Sequence, residues 1–166
     1  MSTDNLIQRE AIEKYLELSR NVKTAMMLTG LRKAPVPAIP MGSKEILDNG
    51  DVIFFSKSTS EHNANIEKNK ETQLIFGDVK SKEFLSVYGT TEVSKNRELI
   101  DKYYDNLDDN WFESKNDPSL TVLIFSPQEG HYWDNKTNAL ITLAKLAYTK
   151  ATGDETEVGV SGSLKL

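Results

Sequence analysis

The stretch from Asp48 to Asn69 constrains the possible fold more than any other part of this sequence. Asn49-Gly50 tolerates positive φ at both positions, as the two-residue turn of a β-hairpin requires. Val52 to Phe55 then forms a continuous run of β-branched and aromatic residues, which is typical of a strand covered on both faces. The sequence therefore predicts a hairpin whose second strand is buried in a core.

The residues after this strand, Ser56 to Ser60, are rich in hydroxyl groups and include one ammonium, that of Lys57. The order Ser58-Thr59-Ser60-Glu61 fits a capping box, so we expect a helix to begin near Ser58 to Ser60. Two interpretations of this loop are open. It either only caps its own helix, or it uses the free N–H groups and dipole of the helix N-terminus to bind an anion such as phosphate.

Length and charge narrow the functional class. The chain has 166 residues, which suits a single domain with a real hydrophobic core. Its 20 Lys+Arg against 25 Asp+Glu give a net charge of −5, so we expect neither nucleic acid nor an anionic membrane surface as a partner. There is no cysteine, and we find neither a signal peptide nor an apolar run long enough to span a bilayer. A cytoplasmic protein is expected.

The hydrophobic pattern predicts one domain over residues 1–166, mainly β (α+β), with flanking helices. Amphipathic spacing indicates an N-terminal helix from Asp4 to Arg20, within residues 1–20, and a C-terminal helix over residues 137–151. Residues 22–135 between them are expected to form a six-stranded antiparallel barrel with inserted helices, because the strands follow one another directly. The expected elements are strands at Thr24–Thr29, Ala34–Met41 (an edge segment), Val52–Phe55, Glu71–Asp78, Phe84–Val93 and Leu120–Phe125, the last continued by Gly130–Trp133 after a bulge at Pro127; a helix at Asn96–Tyr104; and a short edge strand at Leu164–Leu166.

The inventory of reactive side chains contains no evident catalytic residue. His62 and His131 are the two histidines of the chain, and neither lies in a metal-ligand spacing, so no metal site is expected. The sequence also lacks a G-x-S-x-G elbow, a G-x-G-x-x-G motif and a Walker A loop. A group of aromatic residues either lines a flat ligand pocket or packs under the closing helix or at a subunit contact: Trp111, Phe112, Tyr132 and Trp133.

Several short motifs occur in one order along the chain. The first is Phe54-Phe55-Ser56 followed by Ser60, His62, Ile66 and Asn69; the others are Pro40-Met41, Leu74-Ile75-Phe76-Gly77-Asp78, Val87-Tyr88-Gly89-Thr90, Trp111-Phe112, Asp117-Pro118-Ser119-Leu120 and Tyr132-Trp133-Asp134. Together they resemble the pyridoxamine 5′-phosphate oxidase-like FMN-binding split barrels, and among these the general stress protein branch. The likeness runs from about Asp4 to Thr152.

The resemblance implies a dimeric six-stranded split barrel that binds FMN in a cleft shared by two subunits. By position, Phe55 and Ser56 would lie along the isoalloxazine ring and the ribityl chain, and Ser60 would lie at the phosphate. Trp111 or Trp133 would lie close to the dimer cleft. The full set of cofactor contacts implied in this way is Met41, Phe54, Phe55, Ser56, Lys57, Ser60, His62, Trp111 and Trp133.

The chain departs from the pattern of the family it resembles at three cationic positions. A lysine is usual at the place of His62, and arginines are common at the places of Glu61 and Ile39. A charge-assisted hydrogen bond contributes roughly 1.5–3 kcal/mol, so these replacements are expected to weaken the binding of a phosphate. Four cations are candidates to compensate: Arg32, Lys33, Lys44 and Lys57.

Two functions are compatible with this pattern. The first is an FMN-binding protein of the general stress type, serving as a flavin-dependent oxidoreductase of unknown substrate. The second is a non-enzymatic split-barrel dimer that has weakened or lost flavin affinity and binds another ligand or partner. Oxidation of pyridoxamine 5′-phosphate itself is not expected, because Gly162 to Leu166 has no counterpart of the arginine-containing C-terminal segment of the true oxidases.

Overall fold

The computed structural model describes residues 2–3, 6–134 and 160–166. The C-terminal helix predicted over residues 137–151 lies outside these ranges. Within them are three α-helices, α1 (Gln8–Asn21), α2 (Glu61–Lys68) and α3 (Arg97–Tyr103), and one 3₁₀ turn at Asp108–Asn110. None of these helices is both long enough and apolar enough to cross a lipid bilayer.

The described strands join into a single sheet of ten strands. Seven have at least five residues, one more than the six that we predicted, and three have only two residues. In chain order they are β1 (Ser2–Thr3), β2 (Leu6–Ile7), β3 (Thr24–Thr29), β4 (Ala38–Gly42), β5 (Glu45–Ile46), β6 (Val52–Lys57), β7 (Glu71–Asp78), β8 (Glu83–Ser94), β9 (Leu120–Asp134) and β10 (Val160–Lys165).

Strand β9 organises this sheet because its two halves have different partners. Its first half pairs with β6 and its second half with β10, while β8 runs along the opposite edge of both halves. Strands β7, β3 and β4 continue outward from β8, and the proline-containing β4 is an edge, as predicted. Pairing is antiparallel except where β1 and β2 lie parallel to β10. The sheet curls into a split barrel with helices outside, so the predicted fold class is confirmed.

The bulge predicted at Pro127 is present where β8 pairs with β9. Tyr88 lies opposite Glu129 and Gly89 lies opposite Pro127, so that the intervening residue of β9 has no opposite residue in β8. The two strands approach closely here: a Cβ built on Gly89 would overlap the carbonyl oxygen of Ser126. The bulge therefore requires glycine at this position of β8.

Two hydrophobic clusters form on opposite sides of β6. Val52 and Phe54 point into the main cluster inside the barrel, against which α1 packs through Tyr15. Ile53 points into a second cluster with Phe112 and other residues under α3. The strand is therefore covered on both faces, as its composition predicted. Burial of one such large apolar side chain stabilises the fold by roughly 1.5–3 kcal/mol.

The hairpin before β6 differs from the prediction in its turn. The Leu47 N–H donates to the Asp51 carbonyl at 2.8 Å, and the Gly50 N–H donates to the Leu47 carbonyl at 2.9 Å. Only Gly50 of the Asn49-Gly50 pair has positive φ, at 94°. The expected two-residue turn is therefore wrong: the connection has three residues, with glycine in the left-handed position that such loops favour.

The first helix also begins later than predicted, at Gln8 instead of Asp4. Leu6 and Ile7 precede it as strand β2 and pair with Leu164 and Lys165 of β10. The amphipathic pattern of the sequence continues through both elements, because α1 buries Ala11, Tyr15 and Leu18 against the sheet that β2 joins. Pairing with a distant strand, which periodicity does not reveal, sets this boundary.

A cleft with an apolar wall and a polar corner

A cleft on the described surface has a volume of about 620 Å³. It lies between β4, the end of β6, the first turn of α2 and the loop that carries the 3₁₀ turn. A volume of this size is typical of sites for small molecules and cofactors. Its lining consists of Ile39, Pro40, Met41, Gly42, Ser43, Lys44, Phe55, Ser56, Lys57, Ser60, His62, Leu107, Asp108, Trp111 and Phe112.

Backbone hydrogen bonds set the shape of the polar corner of this cleft. Where β6 ends, the Ser58 N–H donates to the Ser119 carbonyl at 2.7 Å, and the Ser60 N–H donates to the Lys57 carbonyl at 2.9 Å. Ser60 then serves as the N-cap of α2, and its side chain accepts from the Asn63 N–H. The first N–H groups of the helix have no intrahelical carbonyl acceptor, so this corner presents donors.

The predicted capping box is therefore wrong in register. Glu61 is the first helical residue, and Asn63 occupies the position that a capping-box acid would hold. The reason is tertiary: the Ser58 N–H is bound to Ser119 at the start of β9, so the chain still follows the sheet at Ser58. The helix begins only after Ser60, at the end of the range that the sequence indicated.

A hydrogen-bond network joins Ser56, Ser60, His62, Asn63 and Thr121. The Thr121 hydroxyl donates to the Ser56 carbonyl at 2.8 Å, so its oxygen accepts from Asn63 Nδ2 at 2.9 Å. This fixes the orientation of the amide. Its Oδ1 therefore faces the Ser56 and Ser60 hydroxyls, which donate to it at 2.8 and 3.0 Å.

His62 completes the network at its edge. Its Nε2 lies 2.5 Å from Ser56 Oγ and 3.0 Å from Ser60 Oγ. Burial lowers the pKa of the His62 imidazole below its ordinary value, and the neighbouring Glu61 carboxylate opposes this only in part. The ring is therefore neutral at pH 7, and it contributes a hydrogen-bonding group to the corner in place of a positive charge.

Two lysines reach the cleft, and they differ in how much charge they offer. Lys44 Nζ donates to Asp105 at 2.7 Å and to Asp108 at 2.8 Å. Burial disfavours the charge of Lys44, but these bonds outweigh burial and raise its pKa. The positive charge of Lys44 is therefore neutralised by these two carboxylates of the protein. Lys57 is exposed at the polar corner and belongs to no salt bridge among the described residues.

The opposite wall of the cleft is apolar and aromatic. Phe55 is half-buried, with its ring 6.2 Å from that of Tyr104 and 5.5 Å from Lys44 Nζ. Leu107 and Trp111 flank the mouth and are 73% and 71% exposed, which is unusual for side chains of this size. The cleft thus joins a flat apolar surface to a polar corner that presents serine oxygens and the N–H donors of the helix N-terminus.

The structure brings together most of the residues proposed from the sequence. Those that line the cleft are Met41, Phe55, Ser56, Lys57, Ser60, His62 and Trp111. Phe54 lies elsewhere, fully buried in the barrel core, and Trp133 lies on β9 with its ring 4.7 Å from that of His131. Glu61 is exposed and is not part of the lining, whereas Ile39 is.

Three residues that shape the cleft were not predicted from the sequence. Asn63 and Thr121 orient the polar corner, and Asp108 neutralises Lys44 from the loop. Only Asn63 had a sequence signal, as the third residue after an N-cap serine. Of the other cations proposed as phosphate partners, Arg32 instead pairs with Glu71 through two 2.8 Å hydrogen bonds. Within the described ranges, no three His, Asp or Glu side chains cluster as metal ligands do.

Comparison with known proteins identifies the family of this chain. The sequence profile described as "Pyridoxamine 5′-phosphate oxidase like" matches residues 10–157. The chain belongs to this family. General stress protein 26 of Bacillus subtilis (strain 168) is 28% identical to it over 89 residues, which are 49% of this chain and 61% of that protein. The match thus spans less than two thirds of that relative's length.

Solved structures agree on the pyridoxamine 5′-phosphate oxidase-like fold. One from Jannaschia sp. CCS1, named as a general stress protein 26, has a TM-score of 0.75 at 19% identity and covers 96% of this chain and 100% of that one. The general stress FMN/FAD binding protein of Xanthomonas citri has a TM-score of 0.67 at 20% identity, covering 79% and 93%. Identities this low establish the shared fold alone.

Proposed function

We propose that this protein binds FMN in the cleft, as a flavoprotein of the general stress type. One observation carries the proposal: an apolar wall at Phe55 and a donor-rich corner at Ser60 meet in one cleft of about 620 Å³. FMN has a flat aromatic ring system at one end and a phosphate at the other. The name of the Xanthomonas citri neighbour, an FMN/FAD binding protein, is consistent with this ligand.

The residues divide between the two ends of such a ligand. Phe55, Met41 and Ile39 would cover the ring and exclude water from it. The first N–H groups of α2 and the exposed Lys57 would hold the phosphate by hydrogen bonds and charge, next to Ser60. Bound flavin supplies hydride or electron transfer, and the protein supplies orientation and electrostatics. We therefore propose an oxidoreductase activity whose substrate is unknown.

We further propose that two copies associate at the mouth of the cleft. Leu107 and Trp111 are more than two-thirds exposed there, and association would remove this apolar surface from water. Sedimentation equilibrium tests this directly. A single species of twice the chain mass is expected, whereas a monomer at all concentrations would refute the proposal of a dimer.

Flavin titration tests the ligand. We expect FMN and riboflavin each to lose fluorescence on addition of the protein. Phe55→Leu should weaken the binding of both flavins, because it removes the aromatic ring of Phe55 from the apolar wall. Lys57→Gln should weaken the binding of FMN about tenfold, corresponding to ~1.4 kcal/mol. It should leave the binding of riboflavin unchanged, because riboflavin lacks the phosphate. Lys68→Gln, at the far end of α2, is the matched control. If neither flavin binds the parent protein, the proposed function is wrong.

The second candidate is a dimer that binds a ligand other than flavin. It is favoured by the balance of charge in the corner, where Lys44 is neutralised by two carboxylates and His62 is neutral. If this alternative holds, FMN binds the parent weakly or not at all, and the double variant Glu61→Arg/His62→Lys binds it. Tight binding by the parent that the double variant does not change excludes the alternative.

A further inference from the structure

We propose that His62 takes up a proton when an anion enters the polar corner of the cleft, so that the site selects FMN over riboflavin increasingly as the pH falls. This inference rests on the proposed function and adds to it the means by which the site discriminates between a phosphorylated and an unphosphorylated flavin.

The placement of His62 supports this role. Its Nε2 lies within hydrogen-bond distance of both Ser56 Oγ and Ser60 Oγ, the two hydroxyls of the corner. Because the Asn63 amide is fixed by Thr121, both hydroxyl protons have an acceptor in Asn63 Oδ1. The serine oxygens therefore accept from Nε2–H of the neutral ring, and the proton that converts the ring to the imidazolium is added at Nδ1. The network accommodates the imidazolium without reorganising.

The surroundings explain why the free protein leaves the ring neutral. His62 lies in the first turn of α2, where the positive end of the helix dipole disfavours a cation, and it is partly buried. Charged groups reach this region from several adjoining elements. Lys57 at the end of β6 adds positive charge, Glu61 on α2 adds negative charge, and Lys44 beyond β4 is balanced by Asp105 and Asp108 of the loop.

A bound phosphate would reverse this balance. It places negative charge beside Nε2 and offsets the helix dipole, and both effects favour the imidazolium. By linkage, a ligand that raises the pKa of His62 binds more tightly as the pH falls through the interval between the pKa values of the free and bound states. One proton changes the affinity by at most about tenfold per pH unit.

The ionisation of the ligand itself acts in the opposite direction. A phosphate monoester has a second pKa of about 6, so its charge falls from dianion to monoanion on acidification. This weakens its attraction to Lys57 and to the helix N-terminus. A rise in FMN affinity at low pH therefore requires a group on the protein that gains a proton. Riboflavin has no phosphate, so the FMN-to-riboflavin affinity ratio isolates the anion's contribution.

The experiment measures both dissociation constants by flavin fluorescence between pH 5.5 and 8.5, in the parent, His62→Gln, His62→Lys and His131→Gln. In the parent and in His131→Gln, whose histidine lies on β9 outside the cleft, the ratio should rise severalfold as the pH falls. In His62→Gln it should be low and should not rise. In His62→Lys it should be high across the range, because lysine is already charged. Calorimetry of FMN binding to the parent in two buffers of different ionisation enthalpy should show proton uptake.

The outcomes separate the two proposals. If both flavins bind but His62→Gln keeps the pH dependence of the parent, or if calorimetry detects no proton uptake near pH 7, the inference about His62 is overturned while the flavin site stands. If neither flavin binds the parent at any pH, the proposed function fails and this inference fails with it. Circular dichroism of each variant verifies that it is folded.

Discussion

Replacement of Asn63 by alanine tests the hydrogen-bond network that shapes the polar corner. Asn63 is 1% exposed, and its side chain connects α2 with two strands. It donates to Thr121 Oγ1 on β9 at 2.9 Å and accepts from Ser56 and Ser60 at 2.8 and 3.0 Å. Alanine at this position removes all three bonds and leaves a small void.

The expected loss of stability follows from the number of hydrogen bonds that are removed. A hydrogen bond within a protein contributes about 0.5–1.5 kcal/mol net, and the serines recover part of the loss by donating to His62 or to a ligand. We therefore expect Asn63→Ala to lower the free energy of unfolding by about 2–4 kcal/mol, the void included. Asn65→Ala is the matched control on the same helix. The Asn65 side chain makes one longer hydrogen bond, 3.2 Å to Thr29 Oγ1. Loss of this bond should lower the free energy of unfolding by about 1 kcal/mol or less.

Urea unfolding followed by circular dichroism measures both values, at one fixed protein concentration because association would make stability concentration-dependent. A double-mutant cycle with Thr121→Val isolates the shared bond. We expect an interaction energy of about 1 kcal/mol between Asn63 and Thr121. If the two substitutions add within about 0.3–0.5 kcal/mol, or if Asn63→Ala is no worse than Asn65→Ala, the network does not stabilise the corner as we describe.

Two further predictions concern the barrel itself. Gly89→Ala should destabilise the protein by about 3 kcal/mol or more, because the added Cβ meets the Ser126 carbonyl oxygen. The control is Gly42→Ala, which has no atom within 4 Å of its Cβ and should change stability by less than about 1 kcal/mol. A Gly89→Ala variant with an unchanged thermal midpoint would contradict the bulge geometry. The hydrogen bond from Arg32, with others, lowers the pKa of Glu71 from 4.5 to about 2. Since that pKa is depressed in the folded protein, ionised Glu71 stabilises the protein above pH 4.5, and this contribution is lost as the pH falls towards 2. The stability advantage of the parent over Glu71→Gln should therefore shrink across this interval. If the stability of the two proteins depends on pH in the same way, the ion pair with Arg32 is not a source of stability.

Local sequence determined the strands of the barrel well. The bounds of β3 and β7 agree with the predicted Thr24–Thr29 and Glu71–Asp78, because their buried side chains alternate along the strand and hydrophobic periodicity reports this directly. Strand β10 was harder to foresee. Its sequence, Val160 to Lys165, contains glycine and two serines, so its strand conformation comes from pairing with β9 and β2 more than from its own propensity.

The cleft could be predicted in outline but not in its contacts. Adjacent strand residues point to opposite faces, so only one of Phe54 and Phe55 could enter it, and the choice depends on where the rest of the sheet lies. The register of α2 likewise depended on the bond from Ser58 to Ser119, sixty-one positions further along the chain. Lys44 looked free in the sequence because its partners, Asp105 and Asp108, lie in a distant loop.

The parallel pairing of β2 with β10 sets a limit on how the barrel assembles. It places Leu6 opposite Leu164, so this contact joins positions from the two extremes of the described chain. Pairings of such long range carry a large loop-closure entropy and form late in folding. The backbone amides of β10 should accordingly exchange with deuterium sooner than those of β8, which pairs with the long strands β7 and β9, and the barrel should open first between β2 and β10.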